Sequence, residues 1–119
     1  VKTILIVDDQ PGIRLLLEEV FRKEGYHTVL ASNGIEALRQ ADETAPDAVL
    51  LDMKIPGMNG IEILKRLKSQ KPELPIMMMT AYGELDLIEE SVSLGAVRYF
   101  TKPFDIFEVR DEVNRVLEN

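Results

Sequence analysis

The chain has 119 residues, 45% of them hydrophobic and 29% charged, with a formal net charge of −7. That length builds a single core, so one domain spanning 1–119 is expected, and the balance is that of a folded soluble protein. The acidic field and the lack of any Lys/Arg-rich run exclude nucleic acid as a partner, the absence of cysteine excludes disulfides and thiolate metal sites, and no apolar run nears the ~18 residues of a membrane helix, so a cytoplasmic protein with no membrane contact is expected.

The first strand, Thr3–Val7, is apolar until it meets Asp8 and Asp9. Two carboxylates about 5 Å apart repel by about 1 kcal/mol in water and several-fold more at a protein surface. Either the pair marks the strand's exit from the core, or a positive charge belongs beside it. Ile13, Leu16, Leu17, Val20 and Phe21 then recur at helical spacing, and Gly25 closes that helix. A second strand, His27–Ala31, holds the only histidine, read as an ordinary strand residue rather than a phosphodonor.

Asn33-Gly34 reads as a turn before a helix at Ile35–Thr44. Ala48–Leu51 is a strand buried on both faces, followed by Asp52 and a turn at Pro56-Gly57. A helix over Gly60–Ser69 precedes a strand at Ile76–Met79, after which Thr80 stands. A helix over Glu84–Leu94 stops at Gly95, and the strand Val97–Phe100 runs toward Lys102-Pro103. Ile106, Val109, Val113, Val116 and Leu117 mark the last helix. Glu36, Glu43, Glu62, Glu84, Glu89 and Glu90 read as solvated helix faces, with Glu84 favouring a helix dipole.

Five strands alternating with five helices predict an α/β fold: a doubly wound five-stranded parallel sheet, flavodoxin-like, in order 2-1-3-4-5. Such sheets bind ligands at the carboxyl ends of their strands. Asp8, Asp9, Asp52, Thr80 and Lys102 all fall at that edge. Each alone has an ordinary structural explanation; their coincidence does not. Three carboxylates in one crevice call for a divalent cation, and hard oxygen ligands at an open site suit Mg²⁺, with Mn²⁺ or Ca²⁺ as substitutes. Asp9 and Asp52 would ligate directly, Asp8 through water, and the backbone carbonyl of Lys54 would complete the protein ligands. Asp52, central among them, is the candidate nucleophile toward a phosphoryl group. Lys102 would pair with phosphoryl or carboxylate oxygens, and Thr80 would offer its hydroxyl.

The segments "ILIVDD", "VLLDMKIPGMNG", "MMMTAYG" and "YFTKPF" resemble, in order and spacing, the receiver domains of two-component response regulators. The resemblance implies phosphorylation of Asp52 by a sensor histidine kinase. It implies an acid pocket of Asp8 and Asp9, a switch hydroxyl on Thr80, a phosphate-contacting Lys102 and a cis peptide before Pro103. A narrower resemblance, carried by "LLDMKIPGM", "MTAYGELD" and "KPFDI", is to single-domain response regulators of sporulation phosphorelays. These pass the phosphoryl group to a histidine phosphotransferase. An aspartyl-phosphate phosphatase is a further partner on this reading, and the protein is expected to be monomeric.

Two positions depart from the narrower pattern: Pro11 replaces an aromatic residue, and Tyr99 replaces histidine. Tyr99 restores the aromatic that ordinary receivers use as a switch. The resemblance also points to Gln10, Gly12, Ile13, Leu16, Pro103 and Phe104 as the docking face for a helical, histidine-bearing partner. Ile13 and Phe104 are the expected exposed apolar contacts, whereas Leu16 lies on the helix's apolar stripe and has core packing as its competing explanation. Lys54 and Tyr82, two residues beyond Asp52 and Thr80, are expected to overlook the phosphoryl group and lengthen its lifetime.

The alternative is the receiver of a longer DNA-binding regulator, in which phosphorylation switches an attached effector; the lack of a trailing linker or basic segment weighs toward the relay. Other phosphate-handling folds fit poorly. "DDQPG" is not a flavodoxin phosphate loop, the P-loop signature is absent, and "DMK" lacks the second acid of a haloacid-dehalogenase-like phosphatase. Catalysis is expected to extend only to self-phosphorylation, onward transfer and slow hydrolysis.

Overall fold

The alternation of side chains along the first strand divides the core in two, and the rest of the chain builds around that division. A computed structural model describes residues 1–81 and 83–118. Strands β1 (Thr3–Val7), β2 (His27–Ala31), β3 (Ala48–Asp52), β4 (Ile76–Ala81) and β5 (Arg98–Lys102) alternate with helices α1 (Pro11–Lys23), α2 (Gly34–Thr44), α3 (Gly60–Gln70), α4 (Leu85–Ser93) and α5 (Ile106–Glu118). Every strand pairing is parallel, and the sheet order is β2-β1-β3-β4-β5. No helix among the described residues is long and apolar enough to cross a membrane.

Leu5, Val7, Val49, Leu51 and Met78 point to one face, where they pack with Ala37, Ala41, Ile63 and Leu64 of α2 and α3. Ile4, Ile6, Leu50, Met77 and Met79 point to the other, against Leu17, Phe21, Val109 and Val113 of α1 and α5. Burial on both faces explains why the central strands are apolar throughout.

The sheet extends further than the hydrophobic runs suggest. Asp52 is the last residue of β3, Thr80 and Ala81 complete β4, and Thr101 and Lys102 complete β5. Asp52 sits in register with Met79, and Ala81 with Lys102. Ladder pairing uses backbone groups, so it continues past the point where side chains turn polar.

Asn33-Gly34 is a helix start rather than a turn. Asn33 Oδ1 accepts the Glu36 N–H at 2.9 Å, and Glu36 Oε1 accepts the Ser32 N–H at 2.9 Å, so Glu36 helps to cap the helix instead of simply facing water. Gly60 is required by close approach: a Cβ there would lie 2.7 Å from the Asp52 carbonyl oxygen and 2.8 Å from Met53 Cα. That contact sets α3 directly behind the end of β3. Helix α4 is the most lightly seated, with Ser91 its one buried residue.

Candidate functional site

The carboxyl edge of the sheet gathers side chains from four strand ends. Asp8 follows β1 and is fully buried; its Oδ1 accepts the Gln10 N–H at 2.9 Å, and its Oδ2 accepts from Lys102 Nζ at 2.7 Å. The Asp8 backbone carbonyl accepts from Arg14 Nη1 at 2.7 Å, which fastens the acid loop to α1. Lys102 Nζ also lies 3.4 Å from Asp52 Oδ1, so a single ammonium bridges two carboxylates. Asp9 is exposed at the rim. Asp8, Asp9 and Asp52 each present an oxygen within 4.8 Å of the others, a separation that one cation can span.

Electrostatics at this edge are set by acids crowded around one ammonium. Burial, and then the neighbouring Asp8 carboxylate, push the Asp52 carboxyl up to about 6, against the opposing pull of Lys102 and the Lys54 backbone N–H. Burial disfavours the Lys102 ammonium, but its hydrogen bond to Asp8 and the charges of Asp52 and Asp8 outweigh that and raise it further. Lys102 therefore stays charged at every physiological pH. The Thr80 hydroxyl is buried and has no hydrogen-bond partner among the described residues. A buried hydroxyl without a partner costs free energy and is retained where a ligand completes it. Hard oxygen donors, a raised carboxyl and an uncompleted hydroxyl together fit a divalent cation accompanied by a phosphoryl group.

The "Response regulator receiver domain" family matches residues 4–114. The chain belongs to that family. It is 61% identical to sporulation initiation phosphotransferase F of Bacillus subtilis (strain 168) over 96% of this chain and 92% of that protein. It is 39% identical to regulatory protein AtoC of Escherichia coli (strain K12) and 41% identical to the alkaline phosphatase synthesis transcriptional regulatory protein PhoP of B. subtilis (strain 168). The matches cover 99% and 98% of this chain but only 26% and 48% of those longer proteins. Among solved structures, a CheY-like receiver domain protein from Methanospirillum hungatei JF-1 superposes with a TM-score of 0.95 at 29% identity, covering 99% of this chain and 94% of that one. The receiver domain of NtrX from Brucella abortus superposes with a TM-score of 0.92 at 32% identity, covering 98% of each chain.

This receiver domain brings Asp8, Asp9, Asp52 and Lys102 together as expected, and the Lys102–Pro103 peptide is cis. The docking face divides differently from expectation. Leu16 is 44% exposed, whereas Ile13 and Phe104 are half-buried against the core that α1 and α5 share. Leu16 lies outside the core although it shares the apolar stripe of α1, so core packing, its competing explanation, does not hold. Gln10, Gly12 and Pro103 are exposed, as is Tyr99, which stands on the edge strand β5. The Lys54 side chain reaches Glu84 Oε2 at 2.9 Å. Tyr82 lies outside the described residues.

Sequence reasoning missed Glu84 and Arg14. Glu84 is not a solvated helix residue: its side chain is 9% exposed, and its Oε1 accepts the Ala81 N–H at 2.7 Å. Burial disfavours its charge, but Lys54 and the Ala81 N–H more than compensate, so its carboxyl falls below the usual range. A glutamate at a helix start carries no signal in sequence that separates these two fates.

Proposed function

We propose that this receiver domain is a phosphorelay intermediate that takes a phosphoryl group from a sensor histidine kinase onto Asp52 and passes it to a histidine phosphotransferase. The convergence of Asp8, Asp9 and Asp52, with the Lys102 ammonium bridging Asp8 and Asp52, carries the reading, and the likeness over nearly the full length of a sporulation initiation phosphotransferase supports the relay. Asp9, Asp52 and the Lys54 carbonyl would hold Mg²⁺, with Asp8 acting through water; the ion supplies charge neutralisation on the phosphoryl oxygens. Mn²⁺ or Ca²⁺ would substitute.

In the acceptor step an Asp52 carboxylate oxygen attacks phosphorus. The P–N bond of the donor phosphohistidine breaks, and the imidazole nitrogen leaves with the electron pair. Lys102 faces the charge gathered on Asp52, and the Thr80 hydroxyl donates to a phosphoryl oxygen. Onward transfer reverses the roles: an acceptor imidazole nitrogen attacks phosphorus, and the Asp52 carboxylate recovers its pair. Gln10, Gly12, Ile13, Leu16, Pro103 and Phe104 would receive the helical partner, Tyr99 would report the switch, and Lys54 with Tyr82 would slow the entry of water. On this reading the protein is a cytoplasmic monomer, and an aspartyl-phosphate phosphatase would be a further partner.

A second reading, the receiver of a longer DNA-binding regulator, draws on the two longer relatives and on the exposed Tyr99. Incubation with a purified histidine kinase, ATP and Mg²⁺, followed by a histidine phosphotransferase, separates the two. Reversible exchange of label supports the relay. One-way labelling with dimerisation supports the alternative, and unlabelled Asp52 rejects both.

A further inference from the structure

Glu84 occupies the N-cap position of α4 but makes no side-chain bond to its own helix. Its carboxylate turns back instead, one oxygen accepting the N–H of Ala81 and the other facing the Lys54 ammonium. Ala81 directly follows Thr80, and Lys54 lies two residues past Asp52. One buried carboxylate thus ties together the end of β4, the loop after the proposed phosphoacceptor and the start of the most lightly seated helix.

The Lys54 side chain is 72% exposed. Ion pairs with one partner in water contribute little net free energy, so this lysine is readily drawn elsewhere. A phosphoryl group on Asp52 replaces the single carboxylate charge with about two on the phosphoryl oxygens, a net gain of about one negative charge placed farther out from the strand end. A mostly buried carboxylate that loses its counter-charge is costly to keep in place. We propose that Glu84 is a positioning residue that conveys the charge state of Asp52 to the start of α4, with Lys54 as the cation shared between the two carboxylates. When Lys54 turns to the phosphoryl group, Glu84 loses its partner, its hold on Ala81 loosens, and the first turn of α4 shifts.

The inference rests on Asp52 as phosphoacceptor, and the test keeps the two apart. Amide NMR spectra are recorded with Mg²⁺, with and without acetyl phosphate, for the wild-type protein, Glu84→Gln and Lys54→Met, and intact mass reports the label. Glutamine keeps an oxygen for the Ala81 N–H and loses the charge. In the wild-type protein, the Ala81 and Leu85–Ile88 amides should move on labelling. In both labelled variants the Leu85–Ile88 changes should fall to less than a third of wild type, while the Ala81 amide of unlabelled Glu84→Gln stays protected from exchange. A merely structural tie would leave the labelled variants responding at full amplitude, and that result overturns the inference alone. Failure of acetyl phosphate to label the wild-type protein overturns the inference and the phosphoacceptor assignment together.

Discussion

Lys102 and Asp52 have opposite effects on the stability of the unliganded protein. Lys102 neutralises the fully buried Asp8, so Lys102→Met leaves a carboxylate without its cation. Breaking such a pair on one side costs about 3 kcal/mol. The urea midpoint of metal-free Lys102→Met should fall accordingly, and saturating Mg²⁺ should recover part of the loss by supplying positive charge from solution. Asp52 has a folded-state value of about 6, above its ordinary 3.8. Above pH 6 the folded chain therefore holds a charge that the unfolded chain carries more easily, and the penalty shrinks as pH falls from 6 toward 3.8. Asp52→Asn removes it. The metal-free variant should be more stable than wild type at pH 7.5, by an amount on the order of 2 kcal/mol, with the gain vanishing near pH 4. A denaturation series across pH checks both the size and the direction, and no acetyl phosphate label should appear on the variant.

Gly60 shows how an element far from the chemistry fixes it. A methyl group there would meet the carbonyl of Asp52 and the backbone of Met53, atoms that cannot turn aside. Gly60→Ala should cost about 2 kcal/mol through overpacking and should weaken Mg²⁺ binding, because displacing α3 moves the end of β3; calorimetry with Mg²⁺ measures the second effect. The sequence made the strands and their order legible because burial on both faces writes continuous apolar runs, as in Ile4–Val7 and Ala48–Leu51. It also showed the acids, because Asp8, Asp9 and Asp52 follow such runs, and the lysine by its place at the end of the last strand, before Pro103. It hid the ends of β3, β4 and β5, where backbone pairing outlasts the apolar signal. It also hid the fates of Leu16 and Glu84. Those depend on how much surface a neighbouring element leaves free, a property of packing rather than of spacing.

For the molecule as a whole, the net charge of −7 means that any cation gives some stabilisation by screening, so stabilisation by Mg²⁺ alone would not distinguish a site from an atmosphere. Position and pH make the distinction. A bound ion adds stability that grows with the logarithm of its concentration above Kd, about 2.7 kcal/mol at a hundredfold excess. It must also displace any proton on its ligands. Because the Asp52 carboxyl stands at about 6, the rise in urea midpoint produced by Mg²⁺ should be full above pH 7 and should decline below 6. Affinity should fall roughly tenfold for each further pH unit, as competition by a single proton requires. NaCl at matched ionic strength should produce neither the amplitude nor the inflection. Asp9→Asn should abolish the Mg²⁺-specific part, whereas Glu43→Gln, at another exposed acid outside the cluster, should leave it intact although both variants change net charge equally. Equal losses in the two variants would make the stabilisation a matter of total charge and would dissolve the metal site.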